Sequence, residues 1–175
     1  MAGFIHVYFG DGKGKTTAAL GLAVRAAGCG QRVVIVQFLK DWNSGELNSL
    51  AVLPNVTVLR GKAAGSVFVF DMSEEEKAET KDIHDENLAS ALDLVKNGLC
   101  DLLVLDEAID ALNLGLIDTG AFEGLLDNKP DALELVITGH VRDARLIERA
   151  DYVTEMVKHK HPYDHGVVAR RGIEF

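Results

Sequence analysis

Short apolar runs alternate along the chain with longer, more polar segments of helical period. The runs are rich in Val, Ile and Leu, and the clearest of them cover residues 4–9, 32–38, 101–105 and 133–138. Strands that are covered on both faces of a parallel sheet show this nearly continuous apolar pattern. Alternation of such strands with helices is typical of α/β proteins. The pattern predicts a mostly parallel central sheet flanked by helices, with further strands near residues 56–59 and 152–157.

Two helices are predicted with clear boundaries. The first runs from about Lys15 to Ala27, and glycines follow it, as is common at the C-termini of helices. The second begins after Ser73, because a serine with a glutamate three residues later, Glu76, forms a capping box. Apolar residues then recur at helical spacing as far as Leu99.

The composition is that of an ordinary folded domain. Of the 175 residues, 47% are hydrophobic and 26% are charged. Neither a repeat nor a low-complexity linker divides the chain, so residues 1–175 are predicted to form a single domain. The polar segment 40–48, between two predicted strands, is expected to be a loop.

The charge and the cysteines exclude several classes of function. The formal net charge is −9, which argues against sequence-independent binding to nucleic acid or to an anionic membrane. Cys29 and Cys100 form no CxxC motif, so neither a zinc ribbon nor a disulfide framework is expected. The sequence has no long apolar stretch and no signal-peptide pattern, and a cytoplasmic location is therefore expected.

A glycine- and lysine-rich segment lies between the first strand and the first helix, and its residues are Gly10, Asp11, Gly12, Lys13, Gly14, Lys15, Thr16 and Thr17. Glycines let successive N–H groups turn toward one anion, and the helix N-terminus adds the positive end of its dipole. Lys15 is placed to reach the outer phosphates, and Thr16 to ligate Mg²⁺. The usual first glycine of a phosphate loop is replaced by Phe9, and Lys13 is an additional lysine. We predict a nucleotide-binding loop of a variant type.

Two acidic residues, Asp106 and Glu107, follow the apolar run 101–105. In phosphate-loop proteins, an acidic residue at the end of such a strand brings a carboxylate toward the metal. The alternative is that Asp106 only caps the helix that follows. The phosphate loop upstream favours a metal-binding role for one of the two.

Two other motifs carry weaker signals. The segment 128–131 has the sequence Asn-Lys-Pro-Asp and matches the guanine-reading motif of GTPases, but it precedes a strand, whereas that role needs a position after one. His159, His161 and His165 have a metal-like clustering that only Asp164 supplements. A polar tail near anionic ligands is the favoured interpretation of these histidines.

Taken together, these features resemble the ATP:corrinoid adenosyltransferases of the phosphate-loop type. The matching segments run along the whole chain and cover residues 10–19, 36–40, 103–107, 136–139, 150–156, 160–164 and 169–175. The combination of a phosphate loop without its first glycine and this C-terminal tail is specific. The resemblance implies an α/β, three-layer, RecA-like phosphate-loop fold.

The resemblance also implies an activity and roles for residues. A Co(I) corrinoid would attack C5′ of ATP and expel triphosphate, with ATP and the corrinoid as substrates and Mg²⁺ as cofactor. Lys15, Thr16 and Glu107 would be catalytic, Thr16 and Glu107 would hold the metal, and the nucleotide would lie reversed along the loop. A homodimer is implied, and a flavoprotein-type reductant is a possible partner.

Two positions differ from the pattern of the family. Relatives carry a Phe-Thr-Trp segment whose aromatic rings displace the lower cobalt ligand, and this chain has Phe68-Val69-Phe70 at the matching place. Phe68 and Phe70 are therefore candidate corrinoid-binding residues, and two core phenylalanines are the alternative. His140 stands where relatives have an arginine, so a contact between His140 and phosphate would be charged only at lower pH.

Two other functions remain open from the sequence. One is an NTP hydrolase or a small-molecule kinase on the same fold, which would release phosphate or ADP rather than triphosphate. The other is a non-catalytic, nucleotide-gated protein that binds corrinoid. Neither the physiological corrinoid nor the reductase follows from the sequence.

Overall fold

A computed structural model describes residues 2–62 and 71–174 of the chain. Within these residues, strands form one sheet in the order β3-β2-β4-β5-β1-β6, and all neighbouring pairs are parallel. The strands are β1 (Ile5–Phe9), β2 (Val33–Gln37), β3 (Val56–Arg60), β4 (Leu102–Asp106), β5 (Glu134–Thr138) and β6 (Tyr152–Glu155). The predicted parallel α/β architecture is confirmed.

The helices of the described residues are α1 (Lys15–Gly28), α2 (Gly45–Leu50), α3 (Glu74–Lys96), α4 (Ala108–Asn113), α5 (Thr119–Asp127) and α6 (Ala144–Arg149), and a 3-10 turn covers Pro162–His165. None of these helices is long and apolar enough to cross a membrane. The capping box of α3 is confirmed, because Ser73 Oγ accepts the N–H of Glu76 while the Glu76 carboxylate accepts the N–H of Ser73. Leu99 lies beyond α3, and α2 lies partly in the segment 40–48 that was expected to be a loop.

Apolar residues cover both faces of the sheet and create three layers. Helix α1 packs small side chains against one face, and this cluster includes Ala19, Ala23, Ile35, Val104 and Val136. Helices α3, α4 and α5 cover the other face, where the core includes Val36, Leu88, Leu103, Leu105, Ile109 and Phe122. The small alanines let α1 approach the sheet closely, which brings the loop before α1 against the ends of the strands.

The strand register brings polar side chains together at the carboxyl edge of the sheet. Gln37 of β2 is paired with Asp106 of β4, and Tyr8 of β1 with Thr138 of β5. Successive side chains of a strand alternate between faces, so these polar residues share the face on which α1 packs. Ligands of open α/β sheets bind at this edge, and the candidate site lies there.

Candidate functional site

The phosphate loop is held against the ends of β5 and β6 by backbone hydrogen bonds. The N–H of Gly10 donates to the carbonyl of His140 over 3.1 Å, and the N–H of Gly12 donates to the carbonyl of Met156 over 2.6 Å. Gly10 and Gly14 have φ of 112° and 119°, which side chains with a Cβ rarely adopt. A Cβ on Gly10 would also lie 2.4 Å from the carbonyl oxygen of Met156. The close approach therefore requires glycine.

The side chain of Lys15 curls back over the loop. Its Nζ donates to the carbonyl oxygens of Gly10, 2.7 Å away, and of Gly12, 2.8 Å away. Burial lowers the pKa of Lys15, although Asp110 and Glu107 act in the opposite direction. The ammonium is thus held inside the loop, where the backbone N–H groups of a phosphate loop converge.

Asp106 is fully buried and joins the loop to two strands. Its Oδ1 accepts hydrogen bonds from Thr16 Oγ1, 2.9 Å away, and from Thr138 Oγ1, 2.8 Å away. Thr138 Oγ1 also accepts the N–H of Glu107 over 2.9 Å. The residue at the N-cap of α4 is Glu107, which makes no side-chain cap. The alternative in which Asp106 caps this helix is therefore wrong, and its carboxylate organises the site instead.

Lys40 is a site residue to which the sequence analysis gave no role, since it named this position only within the segments 36–40 and 40–48. Its Nζ lies 2.7 Å from Asp106 Oδ2, 3.2 Å from Glu107 Oε1 and 3.4 Å from Thr16 Oγ1. Burial acts to lower the pKa of Lys40, but the two carboxylates outweigh it, and the pKa is raised. The available signal was a lysine three residues after the end of β2, an apolar strand whose carboxyl end lies at the ligand edge.

Glu107 and Leu39 share an unusual backbone conformation. Their φ values are 61° and 59°, and they are the residues other than glycine with positive φ in the described part of the chain. Such conformations are costly and cluster at functional sites. Burial raises the pKa of Glu107, and Lys40 opposes this rise. The conformation of Glu107 places its carboxylate on the wall of both cavities at the site.

The oxygen atoms of Thr16 and Glu107 fit a magnesium ion. Mg²⁺ prefers hard oxygen ligands and is usually held by one or two carboxylates or hydroxyls together with substrate phosphates. No group of three His, Cys, Asp or Glu side chains that could hold a metal occurs within residues 2–62 and 71–174. The clustering expected of His159, His161 and His165 therefore does not produce such a group.

His140 lines the same cavity as the loop, with an exposed side chain. The ring atom Nδ1 of His140 lies 3.1 Å from Asp110 Oδ2, and the backbone N–H of His140 donates to the same oxygen over 2.9 Å. The hydrogen bond with Asp110 raises the pKa of His140. The loop residue Asp11 accepts the N–H of Lys158, so it anchors the loop to the chain that follows β6.

The C-terminal tail lies across the loop. Lys13 Nζ donates to Glu174 Oε1 over 2.9 Å and to the carbonyl of Ile173 over 3.3 Å. Arg170 also pairs with Glu174. Hydrogen bonds from Arg170 and Lys13 lower the pKa of Glu174 to about 2. The ionised carboxylate of Glu174, in the tail, therefore forms an ion pair with Lys13, a cation of the loop.

Two cavities share part of their lining, and the residues common to both are Thr16, Thr17, Glu107, Ile173 and Glu174. The smaller measures about 280 Å³ and is lined by the loop, His140 and neighbouring residues. The larger measures about 660 Å³, and its wall includes Leu20, Lys40, Trp42, Ser44 and Glu46. The cavity beside the phosphate loop is therefore a neighbour of a larger cavity.

Two further sets of candidate residues were named from the sequence. Phe68 and Phe70 fall outside the described residues, so their role as corrinoid-binding residues stays a prediction. The guanine-type motif is structural where the structure describes it, because Lys129 Nζ donates to the carbonyl oxygens of Gly3 and Leu133, 2.9 and 2.7 Å away. These bonds lie where the chain enters β1 and β5, at the opposite ends of the strands from the loop.

Comparison with known proteins places the chain in a family. A family model described as ATP:corrinoid adenosyltransferase BtuR/CobO/CobP matches residues 1–175. The corrinoid adenosyltransferase of Escherichia coli K12 is 32% identical over 174 residues, which cover 99% of this chain and 86% of that protein. The corrinoid adenosyltransferase CobA of Salmonella typhimurium is 33% identical over the same shares. The corrinoid adenosyltransferase of Pseudomonas aeruginosa is 32% identical, with 99% and 84% covered. Because the family model spans the whole chain, this protein belongs to the ATP:corrinoid adenosyltransferase family.

Proposed function

We propose that this protein transfers the 5′-deoxyadenosyl group of ATP to the Co(I) centre of a corrinoid and releases inorganic triphosphate. The observation that carries this proposal is that the loop cavity and a larger cavity are both lined by Thr16 and Glu107. A triphosphate bound in the loop would leave the rest of the nucleotide facing the larger cavity, where a second substrate has space. Membership of the family supports the same reaction.

The proposed step is a displacement at carbon. The Co(I) substrate supplies an electron pair to C5′, the cobalt–carbon bond forms, and the C5′–O bond breaks. Triphosphate leaves with the bonding pair. Since Co(I) is itself the nucleophile, the protein has to bind both substrates, align them and stabilise the leaving charge.

The loop is suited to that leaving group. Lys15, Lys13 and the backbone N–H groups of residues 10–17 would neutralise the triphosphate. Thr16 and Glu107 would hold Mg²⁺, which adds positive charge to the departing phosphates when it is bound. We assign catalytic roles to Lys15, Thr16 and Glu107, and nucleotide contacts to the loop and His140. Preorganised charges in a partly buried site stabilise a leaving anion without reorganisation.

The corrinoid side of the proposal relies on Phe68 and Phe70. Their spacing matches the aromatic pair of the family pattern. Two rings that displace the lower cobalt ligand would make Co(II) easier to reduce to Co(I). The transfer requires Co(I), so an outside reductant would have to reduce the corrinoid first. The two rings would assist that reduction and not the transfer itself.

The finer features of the proposal come from the resemblance. We propose a cytoplasmic homodimer that obtains its reduced corrinoid with the help of a flavoprotein-type reductant. A single domain over residues 1–175 is supported by the one parallel sheet of the described residues and by the extent of the family model. Sedimentation equilibrium at several concentrations tests the dimer.

The deciding experiment is an anaerobic incubation with ATP, Mg²⁺ and a chemically reduced corrinoid. We expect the spectrum of the adenosylcorrinoid to appear together with an equal amount of inorganic triphosphate. A matched incubation without corrinoid should leave the ATP intact. Release of ADP or phosphate in place of triphosphate would instead show a hydrolase or a kinase, and tight ATP binding without turnover would show a non-catalytic protein.

A further inference from the structure

The ammonium of Lys40 lies among the oxygen atoms to which we assign the cation. It is within 3.4 Å of an oxygen of each of Thr16, Asp106 and Glu107. Lys40 is 7% exposed, so this is a buried contact and not a flexible surface pair. The positive charge beside these oxygen atoms is thus supplied by a side chain of the protein itself.

The backbone fixes the position of Lys40. Leu39, the residue before it, adopts the left-handed conformation, which a leucine rarely takes. The N–H of Leu39 donates to Nε2 of the buried His84. This bond stabilises the turn after β2 that directs Lys40 toward β4. The contact of Lys40 with the carboxylates is therefore built into the fold.

Asp106 has little capacity left for a metal ion. Its Oδ1 already accepts from Thr16 and Thr138, and its Oδ2 accepts from Lys40. A divalent cation that reaches Thr16 and Glu107 has to approach the ammonium closely. Like charges a few ångströms apart in a partly buried site repel strongly. Simultaneous binding of the ammonium and of a divalent cation to these oxygen atoms is therefore unfavourable.

On the basis of the proposed function, we infer that Lys40 is a positioning residue that exchanges partners when the nucleotide binds. In the free protein, its ammonium holds Asp106 and Glu107 and excludes free divalent cations. The triphosphate of ATP offers new anionic partners, so the ammonium moves to the phosphates as the divalent cation takes the carboxylate and hydroxyl oxygens. The cation then enters with ATP and not before it.

Two binding measurements on the substituted protein test this exchange. Lys40→Gln keeps an N–H donor for Asp106 and removes the charge. We expect nucleotide-free Lys40→Gln to bind Mn²⁺ about tenfold or more tightly than the parent, as measured by the paramagnetic resonance of free Mn²⁺. We expect ATP binding in the presence of a chelator, measured by calorimetry, to weaken about tenfold. A purely structural role would not produce opposite changes in the two affinities.

A control variant separates the effect of Lys40 from that of charge in general. Lys77→Met removes a charge from the surface of α3 and should leave both affinities near those of the parent. If Lys40→Gln folds poorly by circular dichroism, Lys40→Met should give the same two opposite changes. Loss of both affinities in a folded variant, or no change in either, would overturn the inference. Neither measurement involves corrinoid. A failure of the inference about Lys40 would therefore not contradict the proposed adenosyl transfer, which the anaerobic incubation tests separately.

Discussion

The backbone N–H of Leu39 donates to Nε2 of His84, and the two atoms are 3.1 Å apart. The other ring nitrogen, Nδ1, lies 2.9 Å from the carbonyl oxygen of Leu116. Because Nε2 accepts and Nδ1 has to donate, these partners assign a neutral ring with its proton on Nδ1. A fully buried imidazole thus connects the turn after β2 to the segment before α5.

We predict that His84 makes the protein less stable in acid. Burial lowers the pKa of His84, although the bond to Leu116 and the charge of Asp85 oppose the shift. The unfolded chain takes up a proton near pH ~6.5, whereas the folded chain resists it. This contribution is therefore complete above that pH, and the free energy of unfolding falls as the pH drops below it.

Urea unfolding of the parent and of His84→Gln between about pH 5 and pH 8 tests this prediction. At the upper end, the variant should be less stable by about 1–3 kcal/mol, because buried backbone groups lose a partner. The difference between the two proteins should shrink toward acid pH. A constant difference across the range would contradict the prediction.

Removal of the loop lysine should affect catalysis and not folding. Lys15→Ala deletes a positioned charge that stabilises the leaving triphosphate, and we expect a rate of adenosyl transfer lower by about 10²–10³-fold. Circular dichroism and thermal unfolding should stay near those of the parent. Lys77→Ala, on the exposed surface of α3, serves as the control. Near-normal turnover by folded Lys15→Ala would remove this loop from the mechanism.

ATP binding should depend on the protonation of His140. The bond with Asp110 raises the pKa of His140, so the ring is a cation below that pKa. We expect ATP affinity to weaken as the pH rises through this pKa, since the attraction between imidazolium and phosphate is then lost. Calorimetry from about pH 6 to pH 9 measures it. His140→Arg should remove this component, and Asp110→Asn should move it to lower pH. Superimposable profiles for the parent and His140→Arg would mean that His140 makes no charged contact.

The tail should compete with the nucleotide for the loop. Glu174 pairs with Lys13, and we expect Glu174→Gln to bind ATP roughly two- to fivefold more tightly, the range of an exposed ion pair. The effect should diminish at high salt. Glu75→Gln on α3 removes an equal charge and should leave the affinity unchanged. Weaker binding by Glu174→Gln would show that the tail supports the nucleotide.

The phenylalanine pair should matter for reduction more than for transfer. If Phe68 and Phe70 displace the lower cobalt ligand, replacing both by Ala should impair activity that starts from Co(II) and a mild reductant. Activity that starts from chemically prepared Co(I) should change far less. Equal losses in the two assays, or no loss in either, would assign both residues to packing.

The predictable part of the fold is the part that local pattern determines. Strands β1, β2, β4 and β5 lie within largely apolar runs. Helix α1 follows a glycine-rich segment, and helix α3 begins with a capping box. Helices α2, α4 and α6 have six residues each. Such short helices do not repeat a 3.6-residue period often enough to be recognised. Their positions are determined by contacts with the sheet.

The candidate site, too, could be predicted from the sequence only in part. The phosphate loop could be predicted because its residues are contiguous. Lys40, Asp106 and Thr138 meet only because β2, β4 and β5 are neighbours in the sheet. The order of strands in a parallel sheet is a long-range property that no local pattern of residues specifies. For the same reason, the pairing of His140 with Asp110 could not be foreseen.

The position of β1 in the sheet has a consequence for protein synthesis. Among the strands of the described sheet, the ribosome makes β1 before the others, yet the neighbours of β1 are β5 and β6, which emerge last of these strands. The carbonyl groups that anchor the loop, those of His140 and Met156, also come from this late part of the chain. A nascent chain therefore carries β1 without its two neighbours until β5 and β6 have been translated, and such exposure favours aggregation. The loop acquires these anchoring hydrogen bonds only after that point.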